Sequence, residues 1–100
     1  MRANAGQASQ LLRALGNEKR LMILCLLVEG ERSVGELNAR LDLSQSALSQ
    51  HLAVLREEAL VHTRRDGQSI LYSLPTGPAQ RILETLHGIY CDATPICEGQ

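Results

Sequence analysis

The sequence predicts a mainly α-helical domain that carries one β-hairpin, and three observations favour this fold class. Apolar residues recur at helical spacing over most of the 100-residue chain,. One Asp-Gly pair, Asp66-Gly67, stands between two segments that alternate in polarity, a pattern typical of a hairpin. The last apolar segment, about 78–90, has an apolar arc wider than one core contact requires,. We therefore expect it to contact both the core and a second subunit.

The composition predicts one domain over residues 1–100, with loose tails at 1–6 and 93–100,. Hydrophobic residues make up 44% of the chain, which excludes disorder by composition,. We expect a cytoplasmic protein without membrane contact, because no apolar run is long enough to span a bilayer and no signal-type segment is visible,. The two aromatic residues, Tyr72 and Tyr90, are too few for the stacking sites that single-stranded nucleic acid needs,.

Two helices are predicted in the N-terminal part of the chain. A short helix over about 7–15 ends near Gly16. Asn17 is a suitable N-cap for the next helix, over about 18–29, which ends at Gly30,. This second helix is apolar on nearly all sides, and we expect it at the centre of the core.

A helix-turn-helix is predicted next. Ser33 and Glu36 have the spacing of a capping box, which opens a short helix over about 34–41 with Leu37 and Leu41 directed inward,. A turn of about three residues follows and ends at Ser44, which caps the second helix of the pair,.

The segment from Leu43 to Arg56 has two unlike faces. Leu48, Leu52 and Leu55 form one apolar stripe,. The remaining face carries short, uncharged hydrogen-bonding side chains instead of the Lys and Glu of a solvated helix, as expected of a helix that enters the DNA major groove. For His51, a phosphate contact and simple solvation are equally open. The candidate DNA-binding residues of this segment are Ser44, Gln45, Ser46, Ser49, Gln50, His51 and Arg56.

The hairpin is predicted to have strands over about 60–65 and 68–74, with Asp66 and Gly67 as the two central residues of a type I′ turn,. Ile70, Tyr72 and Leu74 alternate and are expected to face inward. The tip offers Arg64, Arg65 and Gln68 to DNA phosphates,.

The last helix is expected to be capped by Thr76, to have Pro78 in its first turn and to end near Tyr90,. The order of elements predicts a winged helix-turn-helix in which the hairpin is the wing. We expect the protein to dimerise through its first and last helices.

Several segments resemble the ArsR/SmtB family of bacterial repressors, in the order that the family shows. The resemblance covers about residues 10–90 and implies a homodimeric repressor that binds palindromic double-stranded operator DNA until a signal arrives. The similar segments are residues 14–24, Ser33 to Leu37, Leu43 to Arg56, Leu60-Val61, Arg64 to Gly67 and Ile70 to Leu74.

Both metal sites that are usual in this family lack ligands in this sequence. Ser33-Val34-Gly35 stands where the arsenic and cadmium sensors have Cys-Val-Cys. The last helix has Glu84 and His87 but lacks the second ligand pair of the zinc and nickel sensors,. We therefore expect no metal and no cofactor, with a metal-responsive repressor built on an unusual cysteine site as the alternative.

The three cysteines are too few and too scattered for a secreted disulfide scaffold,. The placement of Cys25 and Cys91 resembles the BigR, SqrR and HlyU subgroup, which implies that reactive sulfur or an oxidant is the inducer. Cys97 is interpreted as an incidental tail residue. A thiol-dependent redox enzyme that uses His87 as base, and a protein-interaction module, are the other hypotheses; we expect neither.

Overall fold

The computed structural model describes residues 4–92 and the side chains of residues 4–90. The elements follow one another in the order α1 (Ala5–Leu15), α2 (Glu18–Val28), β1 (Arg32–Ser33), α3 (Val34–Arg40), α4 (Gln45–Glu57), β2 (His62–Asp66), β3 (Ser69–Ser73) and α5 (Pro78–His87), and a π-helical turn over Gly88–Asp92 extends α5. This architecture confirms the predicted winged helix-turn-helix.

α2 lies at the centre of the core, as its nearly continuous apolar sequence predicts. Ile23 and Leu24 are fully buried, and α2 packs against α1, α4, α5 and β3. The Asn17 side chain caps the helix by accepting a hydrogen bond from the Arg20 backbone N–H at 3.0 Å. α2 ends at Val28, and Gly30 has a φ of 148°, which favours glycine,.

The first helix begins at Ala5, earlier than expected. Ala5 and Gly6 therefore belong to α1 rather than to a loose tail over 1–6. Apolar periodicity begins only further along the helix, so it does not indicate this first turn,. The other expected tail, 93–100, lies outside the described residues.

The capping box of α3 is present as predicted. The Glu36 backbone N–H donates to Ser33 Oγ, and the Ser33 backbone N–H donates to Glu36 Oε1 at 2.8 Å. α3 ends at Arg40, so the expectation that Leu41 belongs to the helix is wrong. Leu41 has extended backbone angles and still buries its side chain, because the chain must turn here towards α4.

The sheet has a third strand that the sequence does not predict. β3 lies between β1 and β2, and both pairings are antiparallel. Arg32 pairs with Tyr72 and Ser33 with Leu71. A strand of two residues is too short to show alternation in the sequence.

The hairpin turn is at the predicted place but has a different type. Asp66 pairs with Ser69, so the central residues are Gly67 and Gln68. In this turn only Gly67 has a positive φ, of 65°. Glycine at the first central position is the arrangement of a type II′ turn, and the predicted type I′ turn with Asp66 at its centre is wrong.

The predicted cap of α5 is also wrong. Gly77 is the N-cap, with no side-chain hydrogen bond, and Pro78 is the first helical residue. A residue before proline is excluded from the helical region by contact with the proline ring. Gly77, with a φ of 153°, accordingly lies outside the helix, and Thr76 is one residue too early to cap it.

Candidate DNA-binding face and thiol site

The exposed face of α4 is formed by the residues that the sequence singled out. Leu48, Leu52 and Leu55 are buried against the core. Their burial fixes the rotation of the helix, so that its polar side faces solvent. Gln45, Ser46, Ser49, Gln50 and Arg56 are exposed on that side, and His51 is half-buried.

Ser44 holds the start of α4 through its side chain. Ser44 Oγ accepts a hydrogen bond from the Ala47 backbone N–H at 3.1 Å and lies 3.4 Å from Ser46 Oγ. The preceding turn is tied to α3 because Asn38 Nδ2 donates to the Leu43 carbonyl oxygen at 2.9 Å. The Ser44 hydroxyl thus caps the helix. Ser46 and Ser49, further along α4, are exposed to solvent.

The C-terminal end of α4 forms a Schellman motif with alanine at the position where glycine is usual. The Leu60 N–H donates to the Leu55 carbonyl oxygen at 2.9 Å, and the Ala59 N–H to that of Arg56 at 3.0 Å. Ala59 has a φ of 58°, and Leu60 buries its side chain with Leu55 in the core,. This motif fixes how the chain leaves α4 towards the wing.

The two wing arginines lie on opposite faces of the hairpin. Arg64 is opposite Leu71 and Arg65 is opposite Ile70, and successive residues of a strand point to opposite sides. Arg65 is exposed, and within residues 4–90 it makes no ion pair. Gln68 is exposed in the turn. Arg65 and Gln68 therefore offer a cation and a hydrogen-bonding group at the surface of the wing.

Arg64 is held by a carboxylate that the sequence does not connect to it. Arg64 Nε and Nη2 donate to the two carboxylate oxygens of Glu31, each at 2.8 Å. These hydrogen bonds lower the pKa of Glu31 from its ordinary value and raise the pKa of Arg64,. Glu31 precedes Arg64 by 33 residues, so no local pattern indicates the pair.

Cys25 is half-buried on α2. Burial raises the pKa of its thiol, and the nearby Glu29 carboxylate raises it further,. The thiol is therefore protonated at neutral pH and is a poor nucleophile in this state. The backbone of Cys91 lies in the π-helical turn that extends α5; its side chain and the whole of Cys97 lie outside the described set.

Glu29 links α2 to α5 through both of its carboxylate oxygens. Oε1 is 3.2 Å from Nη2 of Arg32, and Oε2 is 3.1 Å from Nε2 of His87. His87, considered from the sequence only as a metal ligand or a catalytic base, thus takes part in an inter-helix contact. The two residues are 58 positions apart, so sequence spacing gave no signal for it.

The described residues contain neither a cluster of metal ligands nor a helix that could span a membrane. In that part of the chain, no three side chains of the His, Cys, Asp or Glu type lie together as metal ligands would. None of the helices described there has the length and apolar character to cross a membrane.

Known proteins of similar sequence are transcriptional regulators. Residues 17–63 match the model of the family described as "Bacterial regulatory protein, arsR family". The transcriptional activator HlyU of Vibrio cholerae is 52% identical over 93 residues, which cover 93% of this chain and 86% of that protein. A solved structure of reduced HlyU from Vibrio cholerae superimposes with a TM-score of 0.85 over 91% of this chain and 96% of that chain.

Two further solved structures share the fold. The transcriptional repressor BigR from Xylella fastidiosa is 42% identical, with a TM-score of 0.86 over 93% of this chain and 92% of that chain. A homodimeric winged helix-turn-helix domain from Mycobacterium bovis is 27% identical, with a TM-score of 0.75 over 99% of this chain and 89% of that chain. The chain therefore belongs to the arsR family of bacterial regulatory proteins, and it is a DNA-binding transcriptional regulator rather than an enzyme.

Proposed function

We propose that this regulator is a cytoplasmic homodimeric repressor that binds a palindromic operator and leaves it when reactive sulfur or an oxidant links Cys25 to Cys91. The observation that carries the DNA part is the exposed, uncharged N-terminal face of α4 above a buried leucine stripe. Such side chains have the donors and acceptors that base edges require. The neighbouring wing supplies a cation for the phosphates.

The candidate residues named here divide into three roles in this proposal. Gln45, Ser46, Ser49 and Gln50 read base edges from the first turns of α4, where a recognition helix meets the major groove. Ser44 positions that end of the helix through its cap. His51, Arg56, Arg65 and Gln68 contact the phosphate backbone and fix the register of the protein on the duplex.

The surface of α1 and the end of α5 support the dimer. Large apolar side chains remain exposed there: Leu12 at 59%, Ile89 at 60% and Tyr90 at 58%. Exposed apolar side chains of this size are characteristic of a contact surface when they lie together, and the related Mycobacterium bovis domain is described as homodimeric. A twofold dimer presents two α4 helices, which implies a palindromic site.

The Glu29–His87 contact supports the cysteine pair. Cys25 precedes Glu29 by four residues and Cys91 follows His87 by four residues, so each cysteine is one helical turn from a member of the pair that joins α2 to α5,. A direct disulfide needs Cα atoms within about 7 Å, and inserted sulfur atoms tolerate a wider gap. HlyU of Vibrio cholerae, which is 52% identical to this chain, has been solved in a form described as reduced.

The linking chemistry proceeds in two balanced steps when the inducer is a persulfide. One cysteine thiol takes a sulfur atom from the persulfide RSSH, which forms a protein persulfide and releases the thiol RSH. The second cysteine thiolate then attacks the inner sulfur, the disulfide forms, and hydrogen sulfide leaves. A peroxide instead accepts two electrons and two protons from the thiol pair and is reduced to water.

The link would lower operator affinity by moving α2 relative to α5, which also forms the dimer contact. A coupling of about 1–3 kcal/mol is enough, since it changes binding about 5–150-fold. This is the size of change that we expect on linkage.

The test begins with a duplex recovered from a random library by selection on the immobilised, reduced protein. Reduced protein is then titrated with this labelled duplex and with random DNA over a series of salt concentrations. We expect tight, salt-dependent and selective binding, which falls about 5–150-fold after persulfide treatment. Mass spectrometry reports the product, because a direct disulfide removes two hydrogens whichever inducer forms it, whereas a link that retains inserted sulfur adds the mass of that sulfur.

Two variants serve as controls. Cys97→Ser should still respond to persulfide, and Cys25→Ser should bind DNA but stay bound after treatment. Unchanged DNA affinity after complete Cys25–Cys91 linkage would overturn the switch, whereas salt-independent or absent DNA binding would overturn the repressor.

A further inference from the structure

One of the two wing arginines is placed between carboxylates, although the wing is the expected phosphate-binding element. Arg64 donates two hydrogen bonds to Glu31, and Asp66 also acts on it electrostatically. His62, on the same face of β2, acts on Glu31. Two carboxylates therefore act on the one arginine of this face, whereas Arg65 lies on the other face,.

The position of Glu31 is fixed from both sides along the chain. Gly30, with a φ of 148°, directs the chain out of α2. Before it, Glu29 contacts His87, and after it, Arg32 pairs with Tyr72 in the sheet. The Glu31 backbone is thus fixed near the wing by its neighbours, and its carboxylate is held by a bidentate pair with Arg64, a geometrically specific contact,.

This geometry opposes DNA binding by Arg64. The arginine is half-exposed, and a surface ion pair is weak enough to open. When Arg64 turns to a phosphate, however, it leaves the Glu31 carboxylate unpaired next to a polyanion. When it stays with Glu31, its charge is already neutralised. In both cases Glu31 reduces the contribution of the wing.

We propose that Glu31 attenuates DNA affinity by retaining Arg64, so that Arg65 is the wing arginine that neutralises phosphate in the wild-type protein. Glu31 is a positioning residue in this assignment, because it acts through Arg64 and does not contact DNA itself. The proposal rests on the proposed function, since it presupposes that the wing lies against DNA. It predicts that removal of one carboxylate strengthens binding without regard to base sequence.

The experiment compares wild type, Glu31→Gln, Arg64→Ala and the double variant by titration with the selected duplex and with random DNA between 50 and 200 mM salt. Glutamine has the shape of glutamate without its charge. One new phosphate contact steepens the slope of log affinity against log salt by about 0.9 for each wing engaged. For each wing, the gain in affinity should therefore be about 3-fold larger at the lower salt concentration than at the higher one. Both DNAs should gain equally.

The double variant decides whether Arg64 carries the effect. We expect Arg64→Ala alone to keep nearly the wild-type salt slope, and its addition to Glu31→Gln to remove the gain. Glu84→Gln, which removes one exposed carboxylate that has no ion pair within residues 4–90, is the matched control and should leave the slope unchanged.

Three results would overturn the proposal. They are an unchanged slope in Glu31→Gln, a gain that persists without Arg64, and weaker binding by Glu31→Gln, which would make Glu31 a brace of the wing. If the wild-type protein does not bind DNA at all, the proposed function itself is wrong. The wild-type titration therefore distinguishes failure of the proposed function from failure of the Glu31 proposal.

Discussion

The DNA-binding face and the thiol region differ in how far the folded protein prepares them for their chemistry. α4 is held in rotation by buried leucines, at its start by Ser44 and at its end by the Schellman motif. Cys25, by contrast, is half-buried with a raised pKa. The face that we propose to bind DNA is therefore preformed, whereas the thiol is kept unreactive in its reduced state. In the proposed function, this difference suits a regulator that binds DNA by default and responds only to a strong signal.

The largest effect that we expect concerns the exposed face of α4. Gln50→Ala should remove a base contact, which is worth about 1–3 kcal/mol of discrimination. The ratio of affinities for the selected and random duplexes should therefore fall about 5–150-fold. Parallel titrations with the two DNAs measure this ratio, and the reactivity of Cys25 should not change.

The matched variant on the wing is Arg65→Ala. It should weaken binding to both duplexes alike and reduce the salt slope by about 0.9 for each wing engaged. An affinity ratio that is unchanged in Gln50→Ala, or that falls in Arg65→Ala as in Gln50→Ala, would contradict the division between base-reading and phosphate-binding residues.

The two regions also differ in how much of them the sequence predicts. The faces of α4, the caps Asn17 and Ser44 and the capping box of α3 all follow from residues within one or two helical turns, and the structure confirms them. In contrast, Glu29 and His87 are 58 residues apart, and their contact exists only because α2 packs against α5. Periodicity and capping rules carry no information on such pairs.

The wing combines features that local sequence predicts with features that depend on distant residues. The Asp66-Gly67 pair locates the turn correctly, because glycine is needed where φ is positive,. The register of the turn, however, depends on which residues pair across the strands, and Asp66 pairs with Ser69. β1 and the Glu31–Arg64 pair depend in the same way on chain segments brought together by the core.

A smaller effect is expected at the Cys25 thiol. Glu29→Gln removes the charge that adds to the raised pKa of Cys25, so the pKa should fall,. It should remain above the ordinary thiol value, because burial is the larger cause. In a background without Cys91 and Cys97, alkylation of Cys25 by iodoacetamide should be faster at neutral pH, and the midpoint of its pH–rate profile should move to lower pH.

Glu31→Gln is the control for this experiment, since it removes a carboxylate two residues further along the chain that does not act on Cys25. Its pH–rate profile should match that of the parent protein. If Glu29→Gln also matches the parent, then Glu29 does not restrain the thiol, and burial alone accounts for its low reactivity.

The smallest effect concerns the backbone strain at Ala59, where the chain leaves α4, and its contribution to the free energy of unfolding. A left-handed alanine costs about 1–2 kcal/mol,, and glycine removes this strain but gives the unfolded chain more freedom, worth about 0.4–1 kcal/mol. Ala59→Gly should therefore raise the free energy of unfolding by about 0.5–1 kcal/mol, measured by thermal unfolding at one fixed protomer concentration. The same substitution at exposed Ala53, inside α4, should lower it by about 1 kcal/mol,. A loss of stability in both variants would show that Ala59 is not strained and that the end of α4 is held without cost.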